Sequence, residues 1–138
     1  MQFKECYQNP FIEERADPYI TLGPDGFYYF TASYPMKSAD DKDGYDRVIL
    51  RRAKDISELA SAEEITIWKV ADTTLTHRFI WAPELHYIAG RWYVFYAGSE
   101  DKENNWAFDC HVLVCDSNDP SVSYTHLRAH ETLSDLVC

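Results

Sequence analysis

Lysine and arginine are scarce in this 138-residue chain: 13 stand against 23 aspartates and glutamates, a formal net charge of −10 with His neutral. Nucleic acid and anionic membrane surfaces are recognised by clustered basic side chains, so neither is an expected partner. No stretch approaches the roughly 18 apolar residues that a membrane-spanning helix needs. The opening residues hold no apolar run behind a basic leader, which predicts no signal peptide and a cytoplasmic protein. Cysteine occurs only at Cys6, Cys110, Cys115 and Cys138, with no CxxC and no metal-ligand spacing. Cys110 and Cys115 fall on opposite faces of one predicted strand, so they are read as reduced thiols rather than a disulfide. His77, His86 and His111 share no ligand spacing, so no metal is expected. A Gly-rich phosphate loop and a Ser/His/Asp arrangement are absent too, and no cofactor is implied.

What the chain does contain is aromatic residues, at 15%, and a pattern written twice about 64 residues apart. The first copy runs Ala16-Asp17-Pro18-Tyr19-Ile20-Thr21-Leu22, a Gly-Pro-Asp-Gly turn, then Phe27-Tyr28-Tyr29-Phe30-Thr31-Ala32-Ser33. The second runs Ala82-Pro83-Glu84-Leu85-His86-Tyr87-Ile88, an Ala-Gly turn, then Arg91 to Ser99. A third piece follows in each: Asp46 to Leu50 matches Asp109 to Leu113. The copies differ in front of the proline, where Asp17 is replaced by Ala82.

Strand signals lie at about 18–22, 27–33, 47–53 and 65–70, and again at about 80–88, 91–98 and 108–116. A polar, charge-dense loop occupies 34–45, and a helical turn over 55–61 has Asp55 or Ser57 as its cap. Four antiparallel strands per unit, repeated, predict an all-β fold: about two blades of a partial β-propeller. A β-sandwich is the rival reading. A lone pair of blades is not expected to bury both blade faces.

Residues 121–138 fit neither copy. The run from Val122 to Thr132, with Leu136-Val137-Cys138, looks like a translated sequencing-library adaptor. A short terminal helix is the alternative. On the first reading the fourth strand of the second unit is missing, and the chain divides into 1–120, the N-terminal part of a propeller, and 121–138, an artefactual tail.

Asp17 is the strongest candidate for chemistry. It opens the innermost strand of its unit, where a propeller lines its central channel, and a carboxylate there can take a proton from water. An Asp capping a turn before Pro is the bland alternative.

Here the residues carry a resemblance. Asn9-Pro10, Ala16-Asp17-Pro18, Asp25-Gly26, the Tyr28 to Ser33 run, Tyr45-Asp46-Arg47 and Ile80-Trp81-Ala82-Pro83-Glu84-Leu85-His86 occur in an order that resembles glycoside hydrolase family 43. The match covers roughly 9–120. It is closest to the family's α-L-arabinofuranosidases acting on arabinan and arabino-oligosaccharides. The resemblance implies a five-bladed β-propeller, an inverting mechanism and Asp17 as the general base. It implies a plant cell-wall substrate: arabinan, arabinoxylan or an oligosaccharide. The family's acid, a Glu of a later blade, and its acid-tuning Asp have no counterpart here. The chain is therefore expected to be an inactive N-terminal fragment. β-Xylosidase, endo-arabinanase and a non-catalytic carbohydrate-binding propeller are the alternatives. Family members can hold an ion in the channel, using later residues.

Two further residues are expected at the sugar. Trp81 offers a flat face to a furanose ring or is a core Trp at the channel wall. Glu84 is read as a structural or sugar-hydroxyl partner rather than the acid. Trp68 and Trp92 fall in strands and read as core, while Trp106 lies beside an acidic loop within reach of a substrate rim.

Overall fold

The computed structural model describes residues 7–37, 44–72, 76, 78–100, 103 and 106–127. Cys6, His77, Cys138, the middle of the 34–45 loop and the tail beyond Leu127 lie outside the described residues. The chain forms two four-stranded antiparallel sheets, each in simple meander order. The first contains β1 (Ala16–Leu22), β2 (Tyr28–Ser33), β3 (Arg47–Ala53) and β4 (Ile65–Lys69). The second contains β5 (Arg78–Ile88), β6 (Arg91–Ser99), β7 (Phe108–Cys115) and β8 (Tyr124–Leu127). These are the two blades expected from the repeat.

Each inner hairpin closes as its turn residues dictate. Gly26 takes φ +74 in the Gly-Pro-Asp-Gly loop, and the Asp25 carboxylate accepts from the Phe27 amide at 3.2 Å and from the Tyr29 hydroxyl at 2.7 Å. In the second unit Ala89 and Gly90 both have positive φ, the geometry that matches strand twist in a two-residue hairpin. The expected helical turn is a short 3₁₀ helix, Ile56–Glu58, with Asp55 as cap: its side chain accepts from the Ser57 amide, and Glu58 reaches back to the Asp55 amide.

The sheets meet face to face. Tyr29, Val48, Leu50 and Trp68 of the first pack with Ile80, Leu85, Trp92, Val94, Tyr96 and Leu113 of the second. Trp68 and Trp92 are thus core residues, as read. Cys115 joins this core while Cys110 is exposed on the other face of β7.

Two expectations are corrected. The first blade does bury both faces: Phe30, Ala32, Ile49, Ala53 and Leu59 form a second cluster, closed by Phe11 and Ile12 of the leading segment. That segment is held by Arg15, which with Arg51 of β3 clasps the half-buried Glu64 carboxylate. The second blade does have a fourth strand, over Tyr124–Leu127, where a gap was expected; the alternative helix, from Leu127 to Leu136, falls almost wholly outside the described residues. Tyr124 pairs with Cys115 and Leu127 with Val112. The reason is physical: β7 leaves a row of unpaired backbone groups, and Tyr-Thr-His-Leu is competent to pair with it whatever its origin. The Tyr124 ring also packs against the inter-sheet core, and its hydroxyl donates to the Pro120 carbonyl at 2.8 Å.

Candidate active site

The site is built on a bulge. β1 and β2 pair as Ala16↔Ser33 and then Tyr19↔Thr31, so Asp17 and Pro18 together face one residue of β2. Pro18 lacks an amide to donate and is tolerated at such a break. Asp17 takes φ +50, a conformation that Asp adopts more readily than most residues. The result turns the Asp17 side chain out of the strand pattern. Its residue is exposed, and its Oδ2 accepts a hydrogen bond from Ser33 Oγ at 2.9 Å. Ser33, fully buried, accepts in turn from the Ala82 amide at 2.8 Å.

The second blade repeats the bulge. Trp81↔Ala97 is followed by Glu84↔Phe95, and Ala82 has φ +45. β1 and β2 pack against β5, with Asp17 and the Ala82 amide meeting at Ser33 and Tyr19 meeting His86. Tyr19 OH and His86 Nδ1 are 3.5 Å apart, and His86 Nε2 lies 3.0 Å from Glu84 Oε2. The Tyr19 hydroxyl is pushed above its usual pKa, first by burial and then by the Glu84 charge.

Trp81 sits in an aromatic wall. Its ring stacks on Phe108 at 4.4 Å between centroids, with Tyr45, Phe79 and Trp106 around it at 5.8, 5.6 and 6.3 Å. Its Nε1 is buried and has no hydrogen-bond partner among the described residues. Trp106 is the ring turned to solvent, 79% exposed. The structure thus links Asp17 to the second blade through Ser33 and the Ala82 amide, and links Glu84 to the first blade through His86 and Tyr19, while Trp81 keeps to its own aromatic cluster. Ser33 was not singled out in the sequence. A Ser ending a strand is an ordinary residue, and only the inter-blade contact distinguishes it.

A separate hollow of about 480 Å³ lies behind Pro18, between the leading segment and β1. Its walls are mainly apolar, with Phe11, Ile12, Ile20 and Phe30, and none of its lining residues is acidic. Among the described residues no group of three or more His, Cys, Asp and Glu is placed to hold a metal ion. On their own these residues do not fit a channel ion.

The family model for glycosyl hydrolases family 43 matches residues 7–134. An extracellular exo-α-(1→5)-L-arabinofuranosidase of Streptomyces avermitilis is 41% identical over 83% of this chain and 22% of its own length. One of the same name from Streptomyces chartreusis is 41% identical over 83% of this chain and 32% of its own length. The crystal structure of an α-L-arabinofuranosidase from Lactobacillus brevis superimposes with a TM-score of 0.73 at 38% identity, covering 88% of this chain and 38% of that one. Such structures are five-bladed β-propellers, of which two blades are present here. The chain thus spans about a fifth to a third of the length of these curated relatives. The comparison overturns the cytoplasmic expectation, since both Streptomyces relatives are named extracellular. That expectation rested on the opening residues alone, and the opening residues of a chain this much shorter than its relatives do not decide location.

Proposed function

Because the chain belongs to glycosyl hydrolase family 43, we propose that the full-length protein is a secreted glycosidase that releases terminal L-arabinofuranose from arabinan or arabino-oligosaccharides by inversion. The observation that carries this reading is the Asp17 carboxylate: exposed, set on a bulge at the inner edge of the first blade, and oriented by Ser33. Relatives at 41% identity named exo-α-(1→5)-L-arabinofuranosidase support the substrate class.

In the reaction a water oxygen attacks the anomeric carbon from the face opposite the leaving group. Asp17 takes the proton of that water, and a second carboxyl group protonates the departing oxygen. Inverting geometry puts the two carboxyl groups about 6.5–9.5 Å apart, leaving room for the water. Glu84 is not assigned as that acid, which the family resemblance puts in a later blade; with Oε2 3.0 Å from His86 Nε2, it is read as a hydrogen-bond partner for sugar hydroxyls through its other oxygen. Trp81 belongs to the apolar wall against which a furanose ring rests. The 138-residue chain alone supplies the base without its acid and turns over nothing. The test is release of arabinose from an arabinofuranosyl substrate by the full-length protein and its Asp17→Asn variant, with the product anomer read by NMR. Loss of turnover together with a β-configured first product from an α-linked substrate is expected. Wild-type turnover in Asp17→Asn removes Asp17 from this role.

A further inference from the structure

Asp17 and the second blade are joined by a single buried hydroxyl. Ser33 Oγ donates to Asp17 Oδ2 at 2.9 Å and accepts from the Ala82 amide at 2.8 Å. Ser33 is wholly buried, so its hydroxyl is shielded from solvent although the Asp17 carboxylate it holds is exposed. A serine hydroxyl has one proton to donate. With the Ala82 amide occupying a lone pair, that proton is directed to the carboxylate. The backbone reinforces the arrangement. Ala82 is held at φ +45, an unfavourable conformation for alanine, and in it the amide meets Ser33. Ser33 is itself fixed by its strand pairing with Ala16, the neighbour of Asp17.

We infer that Ser33 is a positioning residue for the base, transmitting the placement of the second blade to the Asp17 carboxylate. It touches no reacting atom. It selects the Asp17 rotamer and leaves Oδ1 to meet the attacking water. This also gives the second copy of the repeat a part in the reaction: Ala82 carries no carboxylate, yet its amide sets the one that Asp17 carries. The inference rests on Asp17 being the base.

The experiment measures kcat, KM and thermal midpoint on the full-length enzyme for Ser33→Ala, Ser33→Cys and Ser33→Thr, beside Asp17→Asn. Misplacing a reacting group by about an ångström costs up to about a hundredfold in rate. Ser33→Ala and Ser33→Cys are expected to lower kcat about ten- to a hundredfold with KM within about twofold. Ser33→Thr keeps the donor and is expected to keep kcat within about threefold. Cys nearly preserves volume while its thiol donates weakly, so it decides the matter if the Ala variant folds poorly. Unchanged kcat in Ser33→Cys with Asp17→Asn inactive overturns the role of Ser33 and leaves that of Asp17 intact. Equal loss in Ser33→Thr overturns it as well, because packing then explains the effect. Wild-type turnover in Asp17→Asn instead removes the reading of Asp17 on which the inference stands.

Discussion

Asp17 and Ala82 occupy the same point in two copies of one unit. Each precedes a proline, each sits in a bulge against the neighbouring strand, and their φ values are +50 and +45. The backbone is repeated; the carboxylate is not. A left-handed residue at a bulge can look like strain stored for catalysis. The second blade shows that the bulge belongs to the fold, since it recurs where no acid is carried. On the proposed reading, chemistry enters the first copy through one side chain and the hydroxyl that holds it.

The sharpest way to break this comparison is to move the carboxylate. Asp17→Ala is expected to lower turnover of the full-length enzyme by about 10²–10⁴-fold, the usual worth of a general base. Adding Ala82→Asp to that variant restores the carboxylate to the equivalent backbone position in the wrong blade. Arabinose release is expected to stay at the level of Asp17→Ala. Recovery in the double variant would mean that the two positions are equivalent in function as well as in shape.

The blades also differ at their periphery. In the first, Glu64, just before β4, is clasped by Arg15 and Arg51, and Arg15 lies over the Tyr34 ring at 4.3 Å. Burial raises the Glu64 pKa, but the hydrogen bonds and charges of the two arginines outweigh it, and the net shift is downward from 4.5. A depressed folded-state pKa means this contribution is complete above about 4.5 and is lost as pH falls through the lowered value. Glu64→Ala leaves two partly buried guanidinium groups without their carboxylate, with Arg51 keeping its bonds to the Leu59 and Ala60 carbonyls. It is expected to cost about 1.5–3 kcal/mol, the usual worth of hydrogen bonds to a charged group, read from the urea midpoint near neutrality. A loss below about 0.5 kcal/mol would show that the leading segment is held by Phe11 and Ile12 alone.

The second blade's edge strand is held by a neutral cluster instead. His111 Nδ1 and His126 Nε2 are 3.1 Å apart, with Tyr96 OH 3.3 Å from His126 and 2.9 Å from Thr76 Oγ1. The Trp68 ring of β4 reaches the same imidazole at 5.8 Å. Burial, and then the charge of His111, push the His126 pKa down to about 4. Here the unfolded chain binds the extra proton. Stability is therefore complete above about 6.5 and falls as pH drops from there toward 4. A falling thermal midpoint over that window is expected for the 138-residue chain, and a flatter profile for His126→Asn. We propose that 121–138 is a foreign tail, of which Tyr124–Leu127 covers the edge of β7. Deleting it is then expected to raise aggregation in light scattering, by baring the edge of β7. Identical pH profiles with and without His126 would mean that β8 is held by its backbone ladder and Tyr124 rather than by the imidazole cluster.

These elements also show what a sequence makes legible. Seven strands and both inner hairpins could be read because each has β-branched or aromatic runs and Gly-bearing turns at the right spacing. Asp17 stood out as a candidate because the repeat supplied its own control in Ala82. β8 was not: its segment breaks the repeat, and only the three-dimensional edge of β7 explains why it pairs. Coverage of the first blade's far face was hidden for the same kind of reason, since Phe11 and Ile12 show no strand periodicity. Ser33 was invisible because its two bonds span separations of 16 and 49 residues.

The smallest expected effect bears most directly on whether the repeated bulge is strained. Ala82 is exposed, so its methyl group contributes little packing. Holding a non-glycine residue in the left-handed region costs about 1–2 kcal/mol. Glycine removes that cost but loses about 0.5–1 kcal/mol through the greater freedom of the unfolded chain. Ala82→Gly is therefore expected to be neutral or stabilising by up to about 1 kcal/mol, with the amide still donating to Ser33. The same exchange at Asp17 would obey the same backbone arithmetic while abolishing turnover. A destabilisation above about 2 kcal/mol from Ala82→Gly would mean that the β5 bulge depends on its side chain. The two bulges would then be alike only in outline.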